Sequence, residues 1–366
     1  MKNVKVRLVA VGFTMAAAAV GLTAVTSSPA LATMPTTEGV PHYDHVVVLT
    51  EENESEGTTF GAASPATYLN SLVSQGTLLQ NYYGTGHVSL DNYLAMVSGQ
   101  PNNGLANTDC MTVSLWTCAQ VASLYNGGQQ VGDQLEAAGK SWNSWEDGTS
   151  TPCFHANYSA LDLTPDPYQG NSTAAPGYNY ADRHNPFIYF TDFVGNQSRC
   201  EQHQRPFSEL STALAGGPTT WTDSTLPAFS FITPDTCHDG HDSPCAGGTG
   251  PGGLASMDAF LKSNVPALLD YLNSHNGLLI INFDEGSVPP TSLNLCTSCA
   301  GLGLGGQTGA LLLGAHVIAG KVDATGYDHY SLLRTIEDSQ GITSYLGLAN
   351  NAAPFQADFR LGQGNG

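Results

Sequence analysis

Residues 278–286 read Leu-Leu-Ile-Ile-Asn-Phe-Asp-Glu-Gly and contain the clearest strand signal of the chain. The apolar run Leu278–Phe283 predicts a buried strand. Two carboxylates, Asp284 and Glu285, follow it directly, and Gly286 allows a sharp turn. Acidic side chains at the carboxyl end of a buried strand lie where α/β folds place their functional sites.

Two further apolar runs end in polar clusters. His45–Thr50 predicts a buried parallel strand, and Glu51-Glu52-Asn53 follows it. Pro227–Ile232 predicts another strand and leads into residues 233–242, Thr-Pro-Asp-Thr-Cys-His-Asp-Gly-His-Asp. A solvated acidic loop is the alternative interpretation of each cluster. We favour a site at residues 233–242, because a plain acidic loop would rarely carry two histidines as well.

Helical patterns alternate with strand patterns along the chain. The predicted helices are Ser64–Leu72, Gln129–Ala138, Met257–Leu272 with a break or restart at Pro266, and a helix capped by Asp328-His329-Tyr330. The other predicted strands are Thr77–Tyr83, Ser141–Trp145 and Gly309–Leu313. This alternation predicts an α/β fold with a mainly parallel central sheet flanked by helices. The three polar clusters should then converge on one edge of the sheet.

A short helix is predicted after Gly84 and Gly86, with Ser89 at its start and Gly99 past its end. Ser89 has two interpretations. It can cap the helix, or it can act as a nucleophile beside His87 and Asn92, where the positive end of the helix dipole suits a phosphate.

The first 32 residues are typical of a secretory signal peptide. Lys2, Lys5 and Arg7 precede the apolar stretch Leu8–Val25, and Ala30-Leu31-Ala32 matches a cleavage site. We therefore expect residues 33–366 to form one exported domain, since no Pro/Ser-rich linker or internal repeat divides them. No later stretch approaches the roughly 20 apolar residues of a spanning helix, so we expect no stable membrane anchor.

The chain is strongly acidic. Of its 11 Lys and Arg residues three lie in the predicted leader, which leaves eight against 31 Asp and Glu, or −23. This excess argues against nucleic acid as a partner. A phosphate substrate would require metal cations to supply local positive charge.

All eight cysteines follow the predicted leader, and their even number favours disulfides in an oxidising compartment. Eight cysteines allow 105 connectivities. Pairing of sequence neighbours suggests Cys110–Cys118, Cys237–Cys245 and Cys296–Cys299, which leaves Cys153–Cys200. Zinc binding by Cys296 and Cys299 is the alternative, although no second ligand pair accompanies them.

Six segments together resemble the secreted bacterial phosphoesterase family of the alkaline phosphatase superfamily. That family includes acid phosphatases, phosphatidylinositol phosphatases and the larger bacterial phospholipases C. The matching segments occur in family order over about residues 42–340: His45–Asn53, His87–Leu94, Arg183–Phe187, His238–Asp242, Phe283–Gly286 and Asp328–Ser331.

The resemblance implies an alkaline-phosphatase-like fold and a role for each matching residue. Glu52, Asn53, Asp284 and Glu285 match positions that hold a divalent metal ion. Ser89 matches the nucleophile. The remaining matches surround the phosphate, with His184 and His241 as catalytic groups: His87, Asn92, His184, Asp239, His241 and His329. Val88, Asp91 and Glu54 depart from the usual Pro, Pro and Arg of the family, which bears on substrate range.

The implied activity is that of an exported, metal-dependent acid phosphatase that acts on small phosphomonoesters, including phosphoinositide headgroups, through a phosphoserine intermediate. Protonated histidines would favour activity below neutral pH. A phospholipase C-type phosphodiesterase is the alternative within the family, although the chain ends soon after its last motif. A catalytically silent protein that binds a metal or a glycan is the alternative from another class.

Overall fold

In the computed structural model of the chain, the described residues are 35–110, 113–155, 179–217, 221, 225–245, 250–287 and 295–361. They belong to one compact unit that begins at Thr33. The strands of this unit are β1 (Thr36–Thr37), β2 (Val40–Pro41), β3 (His45–Glu51), β4 (Thr77–Leu79), β5 (Tyr82–Gly84), β6 (Trp142–Glu146), β7 (Gln204–Pro206), β8 (Phe229–Thr233), β9 (Gly277–Phe283), β10 (Gly306–Gln307), β11 (Ala310–Gly314), β12 (Lys321–Asp323) and β13 (Tyr327–Asp328).

Eight strands form one sheet in the order β12-β4-β11-β9-β3-β8-β6-β7. The strands from β9 to β7 pair in parallel, and β11 is antiparallel to both of its neighbours. The predicted α/β fold with a mainly parallel sheet is therefore confirmed. β5 lies in a separate sheet of three strands, between β10 and β13.

Helices cover both faces of the large sheet. They are α1 (Glu56–Thr59), α2 (Thr67–Leu72), α3 (Ser89–Ser98), α4 (Leu115–Ala122), α5 (Val131–Ala137), α6 (Thr191–Val194), α7 (Gln197–His203), α8 (Phe207–Gly216), α9 (Gly253–Ser274) and α10 (His329–Ser339). Successive residues of β3 alternate between two apolar clusters, as a pleated strand requires. Val46 and Val48 pack with residues of α3 and α10, and Val47 and Leu49 pack with residues of α2 and α9.

The predicted strand Thr77–Tyr83 is two strands. β4 belongs to the eight-stranded sheet and β5 to the smaller one, and they are separated at Gln80 and Asn81. The backbone N–H of Gln80 donates to Asp323, and the Gln307 side chain bonds both residues of the break. After the break, the chain runs through Tyr82–Gly84 into the loop that precedes Ser89.

The predicted break at Pro266 is absent, since α9 runs continuously from Gly253 to Ser274. A proline removes the hydrogen bond to the carbonyl four residues earlier. Here both Pro266 and Lys262 are exposed, so water can solvate that carbonyl. Buried Val265 and Leu268 hold the two halves of the helix on the sheet.

Four disulfides join the predicted partners: Cys110–Cys118, Cys153–Cys200, Cys237–Cys245 and Cys296–Cys299. The zinc alternative for Cys296 and Cys299 is therefore wrong. Two bridges lie beside segments that matter below. Cys110 follows Asp109, and the Cys237–Cys245 bridge encloses the segment that carries Asp239 and His241.

These bridges should differ in their contribution to stability. The sequence separations are 47 residues for Cys153–Cys200 and 3 for Cys296–Cys299. A cross-link that closes a longer loop removes more entropy from the unfolded chain, so the loss is about 4 kcal/mol for the former and about 2 kcal/mol for the latter. Urea denaturation of the two paired Cys→Ser variants measures both values. Equal losses would contradict this loop-entropy account.

Among the described residues, no helix is both long enough and apolar enough to cross a bilayer. The predicted leader (residues 1–32) lies outside the described residues.

Candidate active site

The polar clusters after three neighbouring strands meet at one edge of the sheet, as predicted. β3 lies between β8 and β9, and Glu51 pairs in register with Phe283, so Glu52 emerges beside Asp284. The backbone N–H of Asp284 donates to Glu51, and that of Glu52 donates to Asp239 in the segment after β8. The carboxyl ends of the strands thereby build the floor of the site.

The four predicted metal ligands form one cluster, which we call the acid centre: Glu52, Asn53, Asp284 and Glu285. The backbone N–H of Asn53 donates to Asp284 Oδ1 (3.0 Å), and its side-chain nitrogen donates to Glu285 Oε1 (3.4 Å). The other terminal atom of this amide lies 2.8 Å from Glu52 Oε2 and 3.1 Å from Asp284 Oδ1, where a nitrogen would donate to both oxygens. Carboxylate oxygens of three residues thus converge on one amide.

This convergence of acceptors fits a divalent cation. Three carboxyl groups and one amide supply the oxygen donors that hard divalent cations prefer. Asp284 Oδ2 is buried and has no hydrogen-bond partner in the described part of the chain. These residues fit a hard metal ion that prefers oxygen ligands.

Burial determines the ionisation of the acid centre. Desolvation, reinforced by the neighbouring carboxyl groups, raises the pKa values of Glu52 and Asp284 well above their ordinary values. Desolvation, together with Asp109 and Asp91, raises the pKa of Glu285 to about 9. Without a cation these groups hold protons, and a bound cation would stabilise their charged forms.

Two other clusters of potential ligand atoms occur in the described residues: Cys153 with His155 and Cys200, and Asp235 with Cys237 and His238. Their cysteines are in disulfides, so they offer no thiolate. Hydrogen bonds to Asp147 and Asp235 raise the pKa of His238 to about 10, and so this histidine acts in an ion pair.

Ser89 is not a helix cap. Val88 is the N-cap of α3, Ser89 is its first residue, and no side chain at the N-cap accepts a hydrogen bond. The capping prediction is therefore wrong. Asp109 instead satisfies a backbone group at the N-terminus of the helix, since its Oδ1 accepts from the N–H of Leu90 (2.9 Å). The side chain of Ser89 is free for chemistry, and its Oγ donates to Glu52 Oε2 (3.0 Å).

Tyr93 and His184 lie on the other oxygen of Glu52. The Tyr93 hydroxyl donates to Glu52 Oε1 (2.6 Å), and its ring stacks on the imidazole of His184 with centroids 5.3 Å apart. His184 Nε2 lies 3.4 Å from Glu52 Oε1, and Nδ1 lies 3.9 Å from Asp239 Oδ2. Burial lowers the pKa of His184 well below its ordinary value, so this ring is neutral at neutral pH.

His241 and His87 lie at the mouth of the site, where their side chains are 33% and 32% exposed. Asp239 Oδ1 accepts from the backbone N–H of His241 (3.0 Å), and this bond holds the turn formed by residues 239–241. His87 Nδ1 lies 2.5 Å from Glu285 Oε2. Both side chains are thus partly exposed, although Nε2 of His87 is itself buried.

His329 lies behind the acid centre. Its side chain is fully buried, with Nδ1 bonded to the Tyr82 hydroxyl (2.8 Å) and Nε2 bonded to the carbonyl oxygen of Asp284 (2.6 Å). Burial lowers its pKa to about 4. In this structure His329 supports the backbone of Asp284, and its contact with phosphate stays a prediction.

Asn92 also bonds within the protein. Its side-chain oxygen accepts from the backbone N–H groups of Thr85 and Gly86, and its nitrogen donates to the carbonyls of Gly86 and Val88. This amide shapes the loop before Ser89, and its contact with phosphate stays a prediction. Tyr93 and Asp109 were missed, although Tyr93 lies one helical turn from Ser89, a spacing that places both on one face.

Comparisons with known proteins identify the family of the chain. The Phosphoesterase family model matches residues 62–343, which include Ser89, His184, Asp239 and Asp284. A phosphatidylinositol-3-phosphatase of Mycobacterium tuberculosis is 27% identical over 86% of this chain and 82% of its own length. A probable acid phosphatase of Kluyveromyces lactis is 25% identical over 77% of this chain, which spans 55% of that longer protein.

Among solved structures, an alkaline phosphatase superfamily protein from Vibrio parahaemolyticus matches 88% of this chain and 73% of its own, with a TM-score of 0.51 and 13% identity. The fold is therefore alkaline-phosphatase-like, as expected. The family match covers most of the chain and includes the nucleophile candidate and one side of the acid centre. The chain belongs to the Phosphoesterase family, and it is a hydrolase that acts on phosphoric ester bonds.

Proposed function

We propose that this chain is an exported, metal-dependent acid phosphatase that hydrolyses phosphomonoesters through a phosphoserine on Ser89. The observation that carries the proposal is the hydrogen bond from Ser89 Oγ to Glu52 Oε2, inside a cluster of buried acceptor oxygens. Four disulfides support export, because such bonds persist in oxidising compartments. The phosphatidylinositol-3-phosphatase relative supports lipid headgroups as one class of substrate.

Glu52, Asn53, Asp284 and Glu285 are the residues that would hold the divalent metal ion. When bound, the ion supplies positive charge for the phosphoryl oxygens and lowers the pKa of the attacking hydroxyl. The protein contributes the geometry: Tyr93 fixes Glu52 Oε1, and His329 fixes the backbone of Asp284. Oriented supporting groups of this kind hold ligands in place for metal binding.

The first chemical step belongs to Ser89. Its hydroxyl gives its proton to Glu52 Oε2, and Oγ forms a bond to phosphorus as the bond to the leaving oxygen breaks. His241, half-exposed at the mouth, protonates the leaving oxygen. A phosphoserine and a free alcohol result.

The second step returns the enzyme to its resting form. His184 is neutral, and neither of its ring nitrogens has a hydrogen-bond partner within the described residues. It can therefore accept a proton from water, whose oxygen forms a bond to phosphorus as the bond from phosphorus to Ser89 Oγ breaks. Glu52 returns its proton to Oγ, inorganic phosphate is released, and proton exchange with solvent restores His184 and His241. This assignment gives the two histidines separate roles, one as an acid and one as a base.

A panel of phosphoesters, assayed after chelation with and without added divalent metals, tests the proposed activity. The proposal expects metal-dependent release of inorganic phosphate from an aryl phosphate and from phosphoinositides. Release of phosphocholine from phosphatidylcholine, with no release of phosphate from monoesters, would identify a phosphodiesterase instead. Full activity after chelation would exclude the metal.

Metal binding and stability should depend on pH in opposite ways. Because the pKa values of Glu52, Asp284 and Glu285 are raised, the metal-free folded protein keeps protons that the unfolded chain releases near pH 4.5. Its free energy of unfolding should therefore fall as pH rises from about 4.5 to about 9. A divalent ion replaces those protons, so its affinity should rise over the same range.

Two measurements check this prediction. Titration calorimetry in buffers of different ionisation enthalpy should detect proton release on metal binding, and urea denaturation of the metal-free protein should give lower stability at pH 8 than at pH 5. Metal affinity that does not change with pH would contradict it. The variant Asp258→Asn is a control for the calorimetry, because Asp258 accepts from the backbone of Tyr68 and Leu69 on the α2 side of the sheet.

A further inference from the structure

Two exposed leucines stand on one loop, which we call the rim loop (Cys296–Gly306). Leu302 is 50% exposed and Leu304 is 46% exposed, whereas Gly303 between them is buried. Only three other large apolar side chains are comparably exposed among the described residues, and they lie elsewhere: Leu124, Val322 and Leu361. Isolated exposed apolar residues are ordinary, but a pair two positions apart requires an explanation.

The rim loop is held rigidly, so the exposure of these leucines is built into the fold. The backbone N–H of Cys296 donates to Leu302, and the N–H of Gly301 donates to Asp328 Oδ2 (2.7 Å). The Cys296–Cys299 disulfide closes its base. Leu302 has φ +62°, a conformation that is unfavourable for a residue with a side chain. Such strain persists where surrounding contacts enforce it, and it clusters at functional sites.

The rim loop borders the acid centre. Gly305 lies between Gly84 and Gly286: its N–H donates to Gly84 (3.0 Å), and its carbonyl accepts from Gly286 (2.8 Å). A side chain at Gly305 would lie 2.3 Å from the carbonyl oxygen of Gly86, the residue before His87, so this contact requires glycine. Leu304 directly precedes Gly305, so the rim loop that carries both leucines borders the backbone next to His87 and Glu285.

We propose that Leu302 and Leu304 insert into the surface of a lipid bilayer, so that the site acts on phosphoesters presented by lipid headgroups. The inference rests on the proposed phosphatase function and adds that the enzyme binds its substrate at the surface of a bilayer. A phosphate bound at Ser89 would leave the apolar part of a lipid outside the mouth, level with the rim loop. The large excess of acidic residues favours a bilayer of mainly zwitterionic lipid over an anionic one.

The test compares three proteins: the wild type, the double variant Leu302→Gln/Leu304→Gln, and the control Leu124→Gln. Leu124 is 79% exposed and lies just after α4, outside the site. Each protein is assayed on an aryl phosphate, on a short-chain monomeric phosphatidylinositol phosphate, and on long-chain phosphatidylinositol phosphate in phosphatidylcholine vesicles. Flotation with substrate-free phosphatidylcholine vesicles measures binding directly.

We expect the double variant to lose at least about tenfold in vesicle binding and vesicle turnover, since two leucine side chains would no longer enter hydrocarbon. Its rates on the two monomeric substrates should match the wild type, and the Leu124 variant should match the wild type throughout. Equal vesicle rates for all three proteins would overturn the proposal, and so would an equal loss on the monomeric lipid. A wild type inactive on every phosphoester would refute the phosphatase function instead.

Discussion

Ser89→Ala should reduce turnover of an aryl phosphate by about 10³–10⁶-fold, the range expected when a covalent nucleophile is removed. Among the described residues, Tyr93 is the other hydroxyl on this carboxylate, and it is committed to Glu52 Oε1. The free energy of unfolding should change by only about 1–3 kcal/mol, the cost of leaving Glu52 Oε2 without this donor. Steady-state kinetics and urea denaturation measure the two effects separately.

Two variants on the same helix sharpen this experiment. Ser98→Ala removes a buried hydroxyl that donates to the carbonyl of Leu94 and accepts from the side chain of Gln100 at the far end of α3, so turnover should be unchanged. Ser89→Thr keeps a hydroxyl and should retain part of the activity if the extra methyl fits beside Glu52. Near wild-type turnover in Ser89→Ala would reject Ser89 as the nucleophile.

Asp284→Ala should abolish both metal binding and turnover. Asp284 is fully buried, accepts from the backbone N–H of Asn53, and has a second carboxylate oxygen with no hydrogen-bond partner among the described residues. Groups that merely support metal ligands contribute about 10–100-fold to affinity, so loss of a ligand itself should lower affinity by more than about 100-fold. Metal analysis of the purified variant and activity at saturating metal measure the effect.

A structural carboxylate provides the matched control for that variant. Asp258→Ala removes a buried acid that bonds the backbone of α2 and has no contact with the acid centre. It should lower stability and leave metal content at the wild-type level. Full metal occupancy in Asp284→Ala would reject the assignment of the acid centre as the metal site.

The strands of the fold were predictable where a short run of apolar residues is compatible only with a buried strand. β3, β8 and β9 are short apolar runs buried on both faces, and each ends in polar residues at the same edge. The break within Thr77–Tyr83 was not predictable, because it depends on Asp323 and Gln307, which are distant in sequence. The continuity of α9 through Pro266 depends on which face is exposed, and that follows from packing.

The sequence indicated which residues come together in the site, but it did not indicate what each of their side chains contacts. Glu52, Asn53, Asp284 and Glu285 meet because strand register places them together. The roles of Asn92 and His329 depend on which atoms face the substrate, and both side chains instead bond loop or strand backbone. Asp109 was missed because it bonds the helix of Ser89 from 19 residues away, beyond the range of any local capping pattern.

One measurement tests the central claim most directly. The metal-loaded enzyme is mixed with an aryl phosphate, quenched in acid within the first turnover, digested and examined by mass spectrometry. The account predicts a phosphoryl group on the peptide that contains Ser89, located on Ser89 itself and absent from Ser89→Ala. A phosphoryl group on another residue would move the nucleophile, and hydrolysis that proceeds without any covalent phosphoryl adduct would contradict the mechanism.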